Sequence, residues 1–220
     1  MYEVEILEHF SKAPIFTLSD VNQIVSNRVY AKKLVSRMVG SGRVKRVKKG
    51  LYTMHGDPFL ISTFLLRPSY ISSVSALAYH RRITQIPKEV FCFTSKLPMR
   101  YFFMEEINFF HTKYFFGFEG MDYLGFTVPV ATPEKALIDS IGRVPLDLVE
   151  EAFDGLDGGR VVSYLKRIGR SCTAKRIGYL MEKHGHRVYN ELKPYVDSRY
   201  VLLDPLARGR RRDERWRVLV

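Results

Sequence analysis

Nine basic residues lie between Asp20 and Asp57: Arg28, Lys32, Lys33, Arg37, Arg43, Lys45, Arg46, Lys48 and Lys49, with no acidic residue among them. Ammonium and guanidinium groups gathered this way do one kind of chemistry unaided: they neutralise phosphates and release their counterions. A solvated surface usually mixes signs, because mixed signs relieve self-repulsion. A long stretch of one sign points instead to a polyanion, and Tyr30 and Ser36, lying among the cations, add hydroxyls that can reach phosphates or base edges. We expect Arg28, Tyr30, Lys32, Lys33, Ser36, Arg37, Arg43, Lys45, Arg46, Lys48 and Lys49 to contact double-stranded DNA.

Other chemistries find little support in the sequence. His9, His55, His80 and His111 are scattered. His184 and His186 are two apart at a helix end, where a helix-terminal charge explains them better than a metal. Ser72, Ser73 and Ser75 precede His80 without a Gly-x-Ser-x-Gly elbow. GLDGGR (155–160) lacks the Lys-Ser/Thr ending of a phosphate-binding loop. A Mg²⁺ nuclease needs paired carboxylates near a lysine, and Glu89 and Lys96 are spaced too widely. Gly40-Ser41 is followed by basic residues, not by the carboxylates a nucleotidyltransferase requires. No catalytic residue, metal ligand or cofactor-binding residue is expected, and Tyr70, Ser73 and His80 are read as buried, hydrogen-bonded groups.

Positioning the cations requires particular elements. Tyr2–Phe10 carries an apolar stripe at helical spacing. Thr17 or Ser19 can cap a second helix through Val25, and Ser26 or Asn27 a third. On the third helix Ala31, Leu34, Val35 and Met38 share one arc at about 100° per residue, and Lys32, Lys33 and Ser36 fall opposite. Gly40 and Gly42 stop it. Arg43–Lys48, a Lys49-Gly50 turn and Leu51–Met54 then read as a β-hairpin, with Val44, Val47 and Leu51 packing on the helices. Helix, helix, helix, hairpin is the order of a winged helix-turn-helix, with the third helix in the major groove and the hairpin as a wing against phosphates.

Asp57-Pro58 marks a boundary, dividing the chain into residues 1–56 and 57–220. The remainder reads as α+β: a buried helix at Pro58–Leu66, a small antiparallel sheet through Val130, a helix opened by Thr132-Pro133-Glu134, and helices at Leu146–Phe153, Val161–Ile168 and Ala174–Lys183. Late strands are expected at Tyr200–Leu203 and Trp216–Leu219. Arg208, Arg210, Arg211 and Arg212 form a second basic run, equally readable as a nucleic-acid surface or as a loop.

The composition bounds the rest. The chain has 220 residues, is 46% hydrophobic and carries a formal charge of +12, enough to build a core and to favour a polyanionic partner. No segment reaches the roughly 18 apolar residues a membrane span needs, so no membrane is expected. Two distant cysteines fit a reducing cytoplasm.

Several ordered motifs resemble one family. GRVKRVKKGLYTM (42–54) resembles a basic wing closing on Gly-hydrophobe-Tyr. YISSVSALAYHRRITQIPKEVFCFTSK (70–96) and VATPEKALIDSI (130–141) resemble two further segments, and AKRIGYLMEKHG (174–185) and the closing LDP…RW also fit. Together they are similar to the AbiEi antitoxins, winged helix-turn-helix proteins of the type IV toxin–antitoxin class linked to phage abortive infection. The resemblance implies a transcriptional repressor of its own operon and an antitoxin to a nucleotidyltransferase toxin encoded alongside, with antitoxin activity in the second domain and no stable toxin complex required. Two alternatives stay open: a regulator with a ligand-sensing second domain and no toxin partner, and a nucleic-acid-processing enzyme with a DNA-targeting domain.

Overall fold

The structure, a computed structural model, describes residues 2–207, 209 and 211–220. Arg208 and Arg210, half of the late basic run, lie outside the described residues.

The chain begins with α1 (Tyr2–Ser11), β1 (Phe16–Thr17), α2 (Leu18–Val25) and α3 (Arg28–Gly40), followed by β2 (Lys45–Lys48) and β3 (Leu51–Thr53). Thr17 caps α2 in a reciprocal capping box with Asp20, which satisfies two backbone donors at once. Asn27 caps α3 by accepting from the Tyr30 amide, and Ser26 closes α2 in the left-handed region, so two residues suffice to redirect the chain. The strands form a sheet in the order β1-β3-β2. Gly50 turns the hairpin at φ +78°, a conformation open to glycine without steric cost. Ile6, Phe10, Phe16, Val21, Val25, Ala31, Leu34, Val35, Met38, Val44 and Tyr52 form one closed hydrophobic cluster.

The second cluster holds the rest of the core. It is built on α4 (Pro58–Leu65), β4 (Ser69–Ile71), α5 (Ser73–Tyr79), β5 (Glu89–Thr94), β6 (Met99–Phe103), β7 (Glu105–His111), β8 (Phe118–Tyr123), β9 (Phe126–Ala131) and α6 (Pro133–Ser140). Asp57 caps α4 with Pro58 at its first position, and its other carboxylate oxygen accepts from the Tyr123 hydroxyl at 2.7 Å. Thr132 caps α6, also with proline following. The strands form one six-stranded sheet, β6-β7-β5-β4-β9-β8.

This sheet corrects the expected small antiparallel one. β5 and β7 run parallel, as do β4 and β9. The connections that allow parallel pairing are β6 between β5 and β7, and a long excursion from β4 to β9, so neighbours in space are not neighbours in sequence. The protein is nonetheless mixed α+β, as expected.

The C-terminal part adds α7 (Gly158–Ile168), α8 (Ser171–Lys183), α9 (Tyr189–Leu192) and a small sheet of β10 (Val201–Leu202), β12 (Val218–Leu219) and β11 (Arg212–Asp213). The expected helix at Leu146–Phe153 is instead two short 3-10 turns. Pro145 fixes the entry, and although Val149, Ala152, Phe153 and Leu156 are buried at helical spacing, Gly155 at φ +67° breaks the run. Trp216 lies in a turn before β12, 1% exposed, with its indole N–H on Glu182 at 2.8 Å.

The hairpin belongs to both clusters, which corrects the expectation that Val44, Val47 and Leu51 all pack on the N-terminal helices. Val44 and Tyr52 join the N-terminal cluster, whereas Leu51 belongs to the second one and Val47 packs against it. A β-bulge explains this. Arg46 pairs with Tyr52 but Lys48 pairs with Leu51, which leaves Val47 as the extra residue. An extra residue interrupts strict alternation, so Val47 and Lys48 both turn toward the larger unit.

Candidate nucleic-acid interface

The buried arc of α3 is Ala31, Leu34, Val35 and Met38, the four apolar positions its spacing selects. Opposite them Val29, Lys33, Ser36 and Gly40 are exposed. The eleven polar residues read from the sequence are sorted by this helix and the hairpin into distinct surroundings.

Arg28, Lys32, Ser36, Arg46 and Lys49 line one groove of about 580 Å³ between α3 and the hairpin, closed at its base by Leu18, Val39 and Tyr52. Among the described residues no carboxylate lies within 4.0 Å of the four cations in this groove. Four same-sign charges around one cleft make a region of positive potential, and low-dielectric walls concentrate such a field. Lys33 projects from the adjacent outward face of the helix.

Arg37 and Arg43 face the other flank. Both donate to Glu3 of α1, at 2.8 and 2.7 Å respectively, and Tyr30 meets Tyr2 edge-on with ring centroids 6.0 Å apart. Lys45 lies along Gly56, where an added Cβ would sit 3.4 Å from its Cε. Lys48 is turned away from the groove. Its ammonium lies 3.4 Å from both the Leu65 carbonyl and the Tyr101 hydroxyl, and 5.1 Å from the Tyr101 ring centroid. The structure therefore brings five of the eleven residues together, sets Lys33 beside them, and gives Tyr30, Arg37, Arg43, Lys45 and Lys48 partners elsewhere.

Val29 was not anticipated. It is 68% exposed, one residue into α3 and on its outward face. An apolar side chain presented from the start of a helix can contact the thymine methyl in a major groove. A helical wheel places Val29 opposite the buried arc, among the cations of the outward face.

The other singled-out polar residues form a buried network in the larger unit. Tyr70 and Ser72 both donate to Asp139, at 3.0 and 2.8 Å, and the Lys135 ammonium bonds Asp139 at 2.5 Å and the Tyr70 oxygen at 2.7 Å. Burial, reinforced by the Asp139 charge, pushes the Tyr70 hydroxyl well above its usual range. Burial also lowers Lys135, against the opposing pull of Asp139. Ser73 meets Ser140 at 3.0 Å and His80 Nε2 meets the Ala131 carbonyl at 2.8 Å. Tyr70 and Ser73 are fully buried and hydrogen-bonded within the core, as read from the sequence; His80 is hydrogen-bonded but only half-buried, which corrects its reading as a buried group. Among the described residues no three His, Cys, Asp or Glu side chains gather as a metal would need, and no helix is long and apolar enough to cross a membrane.

Comparison with solved structures finds a likeness to the crystal structure of the RV2827C protein from Mycobacterium tuberculosis. The TM-score is 0.72 at 13% identity, over 99% of this chain and 90% of that one. At this identity the likeness concerns the fold alone. No protein-family model matches the chain, and no curated protein matches it.

Proposed function

We propose that this chain is a sequence-specific DNA-binding autorepressor that also acts as antitoxin to a nucleotidyltransferase toxin, without catalysing a reaction itself. The observation that carries the DNA-binding part is the groove in which Arg28, Lys32, Arg46 and Lys49 meet without carboxylate partners among the described residues. Three helices followed by an antiparallel hairpin read as a winged helix-turn-helix. In that reading α3 enters the major groove with Val29, Lys32, Lys33 and Ser36 leading, and the hairpin lays Arg46 and Lys49 on the neighbouring phosphates. Residues 1–56 then read the operator and residues 57–220 carry antitoxin activity in the cytoplasm.

The antitoxin part rests on the resemblance of Tyr70–Lys96, Val130–Ile141 and Ala174–Gly185 to the AbiEi segments. Its test uses the full chain, because the hairpin supplies Val47 and Leu51 to the core of the larger unit. Lys32→Glu/Lys33→Glu is expressed together with a nucleotidyltransferase toxin encoded by an adjacent gene. The division of labour predicts that promoter repression is lost while growth is still rescued. Loss of rescue by a folded double variant would refute it.

A further inference from the structure

A second cationic site lies in the larger unit, away from every residue of the hairpin and α3. Where the end of α6, the end of α7 and the start of α8 meet, Arg143, Arg170 and Arg176 line a cavity of about 120 Å³ together with Asp139 and Thr173. Among the described residues none of the three guanidinium groups has a carboxylate within 4.0 Å in an ion pair. Asp139 faces the cavity but is already committed to Lys135, Tyr70 and Ser72, and the Lys135 charge offsets its own.

Arg143 and Arg176 are held in place by contacts that leave most of their donors free. Arg143 lies over the Phe93 ring at 4.9 Å and donates one Nη to the Asp139 carbonyl at 3.2 Å. Arg176 uses its Nε on the Leu202 carbonyl at 2.7 Å, which leaves both Nη groups. Arg170 donates to no atom among the described residues. Each guanidinium has five donors in a rigid fork, and that fork matches phosphate oxygens in pairs. Holding like charges around one small cavity costs repulsion, which an anion would reverse.

We infer that this cavity binds the phosphoryl group of a small phosphorylated ligand or free phosphate. The small space between the three guanidinium groups suits one tetrahedral oxyanion held by paired N–H donors. Arg143 and Arg170 are exposed at its rim, so the group that carries the phosphate can extend outward. This site is independent of the DNA-binding reading, since it uses no residue of the N-terminal cluster.

Arg170→Ala tests it. Arg170 is exposed and caps α8 through its backbone alone, so Arg170→Ala leaves the helix start intact, and Arg170→Lys keeps the charge without the fork. Calorimetric titration of the full chain uses orthophosphate, phosphoserine and adenosine 5′-monophosphate, each at matched ionic strength against chloride. Wild type should bind, Arg170→Ala should lose about tenfold in affinity or more, and Arg170→Lys should fall between. Equal affinity for the three ligands identifies the phosphoryl group as the whole epitope, and a preference for one identifies its source. Promoter DNA binding should be unchanged in Arg170→Ala. No titratable binding by wild type, or binding undiminished in a folded Arg170→Ala, would overturn the inference.

Discussion

Leu51 and Tyr52 are neighbours on one strand and belong to different cores: Leu51 packs into the cluster built on the six-stranded sheet, Tyr52 into the cluster of the three N-terminal helices. Alternation along a strand sends successive side chains to opposite faces, and here each face has its own core. The hairpin is thus both a candidate DNA-contacting element and the joint between the two units.

That joint has a measurable consequence. Leu51→Ala should cost about 2–4 kcal/mol, the range for truncating a buried leucine, and should loosen the coupling between the units. Urea unfolding followed by the single tryptophan, Trp216, and by far-ultraviolet circular dichroism checks it. Wild type should give coincident transitions, and Leu51→Ala should separate them.

Glu3 holds Arg37 and Arg43 on the flank of α3. Exposed pairs of this kind contribute little to stability, but they occupy two cations beside the proposed interface. Glu3→Gln should leave the fold intact and raise affinity for DNA roughly two- to fivefold at low salt, the equivalent of an exposed ion pair or two. Fluorescence anisotropy with duplex DNA reads this directly, and unchanged affinity would mean that this flank faces away from the DNA.

Gly178 touches the Trp216 ring so closely that an added Cβ would sit 2.1 Å from it. Gly178→Ala improves intrinsic helix propensity by roughly 1 kcal/mol, yet the clash with a buried, hydrogen-bonded indole should outweigh it. A net loss of about 1–3 kcal/mol is expected from overpacking, with a red shift of tryptophan emission as the ring is displaced.

Asp197 should make the fold sensitive to acid. Hydrogen bonds from Lys175, then from the Arg199 amide, hold its carboxyl down at about 2, below its ordinary value of 3.8. A depressed folded-state value gives stability that is complete above 3.8 and is lost as pH falls through about 2. Asp197→Asn should therefore lower Tm at neutral pH and flatten the dependence of Tm on pH in that window, as followed by scanning fluorimetry.

Much of the N-terminal unit was legible in the sequence, because its signals are local. Thr17, Asn27 and the Lys49-Gly50 turn act within three or four residues, and the arc of Ala31, Leu34, Val35 and Met38 follows from helix geometry alone. The bulge at Val47 was not legible. It arises from two cores competing for one strand, and it sends Lys48 to Leu65 and Tyr101 instead of toward the groove. For the same reason the sequence could not divide the basic residues between the groove and Glu3, since that pairing joins positions 34 and 40 residues apart. The parallel pairs of the large sheet were missed because parallel neighbours are distant in sequence, and nothing in Val90–Thr94 names its partner. The arginine cavity was hidden likewise: Arg143 follows α6, whereas Arg170 caps α8 and Arg176 lies within it, and the three form no run.

The most direct test is the binding of the chain's own upstream promoter by Lys32→Glu/Lys33→Glu, measured by anisotropy across a salt series beside wild type. Wild type should lose affinity steeply as salt rises, with a log–log slope of roughly one per phosphate contact. The double variant should keep its Tm and lose at least about 100-fold in affinity, since two phosphate or base contacts become repulsive. Promoter affinity within about twofold of wild type, with the same salt slope, would contradict the placement of DNA against α3.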